Sequence, residues 1–361
     1  MKKNLTYVTS TLLLVVLSLP FLLSMSLNHT NTEVKEEEQK EKNKALIAWE
    51  AMKAREAKLL NYTTGKVEKS DLLRSRYEAL ALRNAGSRGG VLNLFWESLG
   101  PDNVGGRTRA ILVDKDNSNH LFAGGASGGL WESFDQGNSW KLNESFKNAT
   151  ETVYNSIGSI AQAANGDLYV GTGEPWAYFT SSYMPGNGIY KSTDMGVTWT
   201  HLSATGIAND SVPEARGRWS VVNRIATDPQ NASHLYAALE NGGLFESNDG
   251  GLTWAKPAAM STANSATDVR FHKDGNVVYA TVSTKQIFRS VDGGTPWVNL
   301  TATTGLGALL NAPSPTRVEI GIAPSDPNWV YLLCSNSCLQ GVYRTTDGGT
   351  SWTTLLEEAL P

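Results

Sequence analysis

Between residues 94 and 356 the apolar residues fall in short runs, broken at intervals by Gly, Asp, Asn and Pro. One set of runs reads Ala110-Ile-Leu-Val113, Ile157-Gly-Ser-Ile160, Val221-Val-Asn-Arg-Ile225, Val269-Arg-Phe271 and Val318-Glu-Ile-Gly-Ile322. A second reads Leu121-Phe-Ala123, Leu168-Tyr-Val170, Leu235-Tyr-Ala237, Val278-Tyr-Ala280 and Val330-Tyr-Leu332. A third ends in an apolar pair: Leu130-Trp131, Ile189-Tyr190, Leu244-Phe245, Ile287-Phe288 and Val342-Tyr343. Turns such as Asp228-Pro-Gln-Asn231 and Asp326-Pro-Asn328 separate them. Runs this short, bounded by turn formers, predict strands.

Each third run leads into one eight-residue signature, Ser/Thr-x-Asp-x-Gly-x-Ser/Thr-Trp. Its five copies carry Asp135 and Trp140, Asp194 and Trp199, Asp249 and Trp254, Asp292 and Trp297, and Asp347 and Trp352. The fourth departs from the pattern at Pro296. Asp and Ser/Thr side chains can close a tight turn on nearby backbone N–H groups. The Gly supplies positive φ, and the Trp docks the turn on its sheet. A fourth strand follows, as in Trp199-Thr-His-Leu202 and Trp297-Val-Asn-Leu300. The aspartates lie 59, 55, 43 and 55 residues apart. Four strands per repeat of that length predict a β-propeller blade. The fold class expected is therefore all-β, with five blades visible. These aspartates are read as structural and not as catalytic acids.

These boxes make the chain resemble the Asp-box, or bacterial neuraminidase repeat, β-propellers. That superfamily includes sialidases, sortilin-type receptors and xyloglucan-cleaving hydrolases. The stretches Trp96-Glu-Ser-Leu-Gly-Pro101, Gly105-Gly-Arg107 and Phe122-Ala-Gly-Gly-Ala-Ser-Gly-Gly-Leu-Trp131 are most like large secreted propeller proteins of the Bacteroidetes type. The resemblance implies the fold far more specifically than an activity. Trp96-Glu-Ser-Leu99 looks like an outer strand with no box before it, while each box already has its own following strand. The expectation is an incomplete ring of six to eight blades, with more blades after Pro361.

The N-terminus predicts three segments. Residues 1–26 read as a signal peptide: Lys2-Lys3 precedes the apolar run Leu12 to Leu23. An uncleaved anchor is the alternative. Residues 27–90 read as a charged helical spacer or pro-segment, with helices over 31–61 and 71–84 and a Gly-rich joint at 86–90. Residues 91–361 are the propeller. The chain is expected to be secreted or held at the cell surface, without a membrane span once the signal is cleaved. In such a compartment Cys334 and Cys338 are expected to form a disulfide. With no His nearby they make no zinc site, and neither a metal nor a cofactor is called for. The 31 basic and 35 acidic residues leave a formal charge of −4. No basic run points to nucleic acid.

Candidate chemistry is sparse. The second repeat carries a long aromatic crossing loop with Glu174, Trp176, Tyr178 and Tyr183. A second segment, Pro213-Glu-Ala-Arg216-Gly-Arg218-Trp219, leads into the third repeat. Loops on a rigid scaffold commonly bind, and Trp and Tyr stack on sugars or anchor partners. Glu174, Trp176, Tyr178, Tyr183, Arg216, Arg218 and Trp219 are therefore the expected binding residues, for a glycan or an extracellular protein. No catalytic residue is assigned. If the chain were an enzyme, Glu174, Arg107 and Arg109 would be the candidates. The sialidase likeness places an arginine near Arg107 and Arg109, but the surrounding motif differs. Arg218, Arg224, Arg270 and Arg317 do not hold one strand register in the sequence, so no arginine cluster is expected. The likeness to xyloglucan-cleaving enzymes implies a catalytic Asp where Ala126 stands, which argues against that hydrolysis. The expected function is an exported, non-catalytic binding propeller. The alternative is a sialidase-like glycoside hydrolase with part of its site in missing blades.

Overall fold

A computed structural model describes residues 106–357, apart from 151–155, 175–185, 207–216, 284, 304, 307–314 and 337, together with residues 50, 53, 64, 65, 74 and 78. Its contacts divide into two units, Met1–Glu68 and Lys69–Pro361. Glu50, Lys53, Arg74 and Glu78 are helical. Arg74 and Glu78 form an exposed (i, i+4) ion pair at 3.9 Å. The rest of the expected helices and the signal segment lie outside the described residues. Among the described residues no helix is long and apolar enough to cross a membrane.

The repeats fold as five antiparallel sheets, each meandering in sequence order. Their first strands are Thr108–Val113, Ile157–Gln162, Val222–Thr227, Ala266–Phe271 and Arg317–Ile322. Consecutive first strands are neighbours, so they form the inner wall. The sheets are the blades of a β-propeller. Four have four strands. The third has three, and its outer strand is reduced to a bridge between Glu246 and Ala255. Pro257 lacks the N–H that would extend that pairing. The second strands of sheets two, three and four (Leu168–Thr172, Leu235–Leu239, Val278–Val282) are buried throughout, as a sheet covered on both faces requires.

Four boxes close as their chemistry predicts. In the third, Ser247 Oγ donates to Asp249 at 2.8 Å, and the Gly251 N–H donates to Ser247 Oγ at 2.9 Å. Thr253 donates to Asp249 through both its N–H (2.9 Å) and its hydroxyl (2.6 Å). The Trp254 indole N–H donates to Gly251 O at 3.0 Å. In the fourth box Pro296 has no N–H to give, and what remains are the Asp292 and Gly294 N–H groups donating to Ser290 Oγ and the Thr295 N–H donating to Asp292 O.

Two features depart from the sequence reading. A short helix, α1 (Glu144–Ala149), follows the first box. It is capped by Asn143, whose side chain accepts from Phe146 N–H and donates to Gly196 O in the second box. The expected Cys334–Cys338 disulfide is not formed. Both residues lie on a paired hairpin, but Cys334 aligns with Gly341 and Cys338 with Asn336. Cys334 points into the core, where burial pushes its thiol up to about 12, while Cys338 faces outward.

Candidate functional site

The chain enters each first strand on one face of the ring, and the boxes lie on the other. The entry side is the loop face. There Glu174 follows the second strand of sheet two through Gly173. Gly173 has φ +97°, and a Cβ on it would stand 2.2 Å from Ser220 O, so only glycine allows this close crossing. Glu174 is 1% exposed. Its two oxygens meet Arg107 at 3.2 Å and Arg109 at 2.9 Å, at the start of sheet one. The three weak enzyme candidates of the sequence are thus one cluster. Arg107 is 49% exposed and Arg109 only 11%. Burial lowers the Arg109 value, and Glu174 partly offsets this. One carboxylate shared by two guanidiniums leaves a net positive charge at the mouth. The Arg107 carbonyl accepts from Ala126 N–H at 2.9 Å, so the position where an acid was implied lies beside this cluster.

Further down the inner wall is a second charged group. Arg224 donates to Asp268 at 2.8 Å and to Glu319 at 3.0 Å. Arg270 pairs with Asp268 at 3.1 Å, and Arg317 with Glu319 at 2.6 Å. Asp268 also accepts the backbone N–H of Ile320 at 2.9 Å, so one carboxylate ties sheets three, four and five. Burial raises the Glu319 carboxyl, but Arg224 and Arg317 outweigh it and the net shift is downward.

Here the structure corrects the sequence reading. Arg224, Arg270 and Arg317 do converge, though on the protein's own carboxylates. β-Bulges restore the register that the sequence had obscured. Arg224, Asp268 and Glu319 lie opposite Ala238, Thr281 and Leu333, the fourth residue of each second strand. The bulges of sheets three and four fall just before Arg224 and Asp268, and the pairing of the first two strands of sheet five has none. Asp268 and Glu319 were missed. Charges spaced i, i+2 in an otherwise apolar run, as in Asp268/Arg270 and Arg317/Glu319, were the available signal.

The other candidates separate. Trp176, Tyr178, Tyr183 and Arg216 lie outside the described residues. Arg218 lies over the Phe245 ring at 5.2 Å, away from the inner wall. Trp219 is buried against Phe245 and Trp254, so it packs the core and is not available to a ligand. Glu240 was also missed. It follows the second strand of sheet three as Glu174 follows that of sheet two. Asn223 donates to it at 2.9 Å, and its value is raised chiefly by burial, with Glu174 adding to the rise. On the box face, Asp228, His234, Glu246, Asp274 and Asp292 line a polar pocket of about 340 Å³. Among the described residues no cluster has the donor set of a metal site.

Residues 242–360 match the Sortilin-Vps10 family (Sortilin, neurotensin receptor 3). The box geometry and this match agree. The chain is an Asp-box β-propeller. A xyloglucanase of Hypocrea jecorina is 34% identical over 85 residues, 23% of this chain and 10% of the relative. Xyloglucanase Xgh74A of Acetivibrio thermocellus is 29% identical over 263 residues, 71% of this chain and 26% of the relative. Among solved structures, an ancestral GH74 enzyme superposes with a TM-score of 0.51 at 20% identity, over 70% of this chain and 33% of that one. The GH74 xyloglucanase of Xanthomonas campestris gives 0.50 at 18%, over 68% and 38%. This Asp-box propeller spans about a quarter or less of the length of these curated relatives. The two superpositions speak for the fold.

Proposed function

We propose that the chain is an exported propeller that binds a glycan, or a protein, at its loop face without cleaving it. The carrying observation is the cluster at the channel mouth: Glu174 is buried and locked by two arginines, and one of them, Arg107, reaches solvent. That arrangement fixes guanidinium donors before a ligand arrives, which reduces the ordering cost of binding. The relatives named xyloglucanases make xyloglucan the first ligand to try. Absence of cleavage is supported by the state of the carboxylates. Glu174, Asp268 and Glu319 are held by arginines, Glu240 by Asn223, and a methyl stands at Ala126.

The test is calorimetry with xyloglucan oligosaccharides and a glycan array, on wild type and Arg107→Ala. A loss of about tenfold or more in affinity, the scale of one charge-assisted hydrogen bond, with unchanged melting, is expected. Equal affinity moves the site away from Arg107. The hydrolase reading is favoured by the xyloglucanase relatives and by Glu240, a carboxyl whose value is raised by burial and by the nearby Glu174, as a general acid requires. Release of reducing ends from xyloglucan, lost in Glu240→Gln, would decide for it.

A further inference from the structure

Three Asn-Gly pairs occur in the chain: Asn165-Gly166, Asn187-Gly188 and Asn241-Gly242. An asparagine followed by glycine carries its own electrophile and nucleophile. The side-chain amide carbon and the glycine backbone nitrogen can close a succinimide ring, and glycine has no Cβ to hinder the approach. In an unfolded chain the three pairs are alike. In the folded one, local hydrogen bonds decide which of them has the freedom to react.

The first two pairs are held. The Gly166 N–H donates to Ala163 O at 2.9 Å, and the Asn165 side-chain oxygen accepts the Asp167 N–H at 3.2 Å. Nucleophile and electrophile are both engaged there. The Gly188 N–H donates to Trp219 O at 3.0 Å. Half-buried Asn187 is fixed through its own N–H to Thr172 Oγ1 at 2.8 Å and through its carbonyl to His201 at 2.7 Å. The third pair differs. Asn241 and Gly242 sit in the turn between Leu239 and Gly243, which pair across the hairpin of sheet three on the loop face. Asn241 is exposed, and its side chain has no hydrogen-bond partner among the described residues. The Gly242 N–H likewise donates to no acceptor among them. The Arg218 side chain packs on Gly242, where a Cβ would stand 2.6 Å from Arg218 Cγ. A cation therefore stands near the amide that must lose its proton, which favours the loss.

We infer that Asn241 is a site of spontaneous deamidation, and that the fold protects Asn165 and Asn187 from the same reaction. Water takes the Gly242 amide proton, and that nitrogen bonds to Asn241 Cγ. The Cγ–Nδ2 bond breaks, and Nδ2 gains a proton from solvent and leaves as ammonia. Water then opens the ring at either carbonyl, giving aspartate or isoaspartate. The net change is one water consumed and one ammonia released. The product puts a carboxylate on the turn that carries Glu240, so conversion adds one negative charge to the loop face. The inference is independent of what that face binds.

The test is peptide mapping by mass spectrometry of the purified chain of 361 residues during incubation at mildly alkaline pH, with a parallel sample unfolded in urea. In the folded chain, replacement of NH2 by OH at Asn241 should run at least about fivefold faster than at Asn165 or Asn187, the protection that one retained hydrogen bond supplies. In urea the three rates should converge. Asn241→Gln, whose longer side chain would have to close a larger ring, should stay unmodified at that position. An intact Asn241, or conversion of Asn165 or Asn187 as fast as Asn241 in the folded chain, overturns the inference. So does a lead for Asn241 that persists in urea, since neighbouring sequence and not the fold would then set it.

Discussion

Aspartates in this chain do two kinds of work, and their surroundings separate them. A box aspartate is solvent-facing and accepts several short hydrogen bonds from its own turn. Side-chain and backbone bonds from Ser139 or Thr253 hold Asp135 and Asp249 down at about 2, and Asp194 and Asp347 are lowered by the same contacts. Values depressed in the folded state mean stability that is complete above the ordinary carboxylate range and is lost as pH falls from about 4 towards 2. Urea midpoints measured across that window should fall with pH. Asp249→Ala should cost about 1 kcal/mol, the scale of a lost turn cap at an exposed site, and should leave ligand affinity unchanged. Asp268 is the other kind. It is fully buried and holds Arg224, Arg270 and the Ile320 amide. Asp268→Ala removes the buried carboxylate from the half-buried Arg224 and Arg270, which keep Glu319, and from the Ile320 amide, and should cost about 2–3 kcal/mol, measured by urea unfolding. A cost near that of Asp249→Ala would mean water replaces the carboxylate in the channel.

At the scale of elements, the departures cluster where sheets three and four meet. The outer strand of the third sheet is a bridge, and the fourth box lacks the bonds that Pro296 cannot make. Between them, His234 joins Asp228 at 3.0 Å and Glu246 at 3.1 Å, with Tyr236 and Phe271 against its ring and Asp274 and Asp292 in the adjoining pocket. Burial would lower the His234 value, but Glu246 and Asp228 outweigh it and raise it. A raised histidine stabilises fully below its ordinary value near 6.5 and loses that contribution as pH rises through the folded value. The difference in urea midpoint between wild type and His234→Asn should therefore narrow as pH rises above about 6.5. A constant difference would assign His234 a packing role alone.

At the scale of the molecule, stability is set by how many faces of a sheet are covered. Among the described residues, sheets two to four are covered on both sides, and sheets one and five on one. Contact-dominated repeats gain most of their stability from neighbours. Hydrogen exchange on the chain of 361 residues should therefore be slowest in Leu235–Leu239 and Val278–Val282. It should be fastest among the sheets in Thr108–Val113 and Thr353–Glu357, the two ends of the arc. Uniform protection would mean the end faces are covered within these residues.

The local features were legible in the amino-acid sequence because their chemistry is local. Ser-x-Asp-x-Gly places donor, acceptor and positive φ within five residues, so five boxes, their strands and the blade order follow from the chain alone. The fourth box betrayed its defect through one proline. The candidate site was only half legible. Glu174, Arg107 and Arg109 stood out as unusual residues, but their meeting spans two sheets, and no local rule places residue 174 beside residue 107. The channel group of Arg224, Asp268 and Glu319 was hidden for a further reason. A β-bulge shifts which residues face the same way, and bulges are decided by how the strands pair. The cysteine pair erred in the same manner, since spacing allowed a bridge that hairpin pairing turns apart. Sequence alone determined the turns and the class of fold. Only the tertiary structure decided which charges meet and which sheet faces stay exposed, because both depend on packing between repeats.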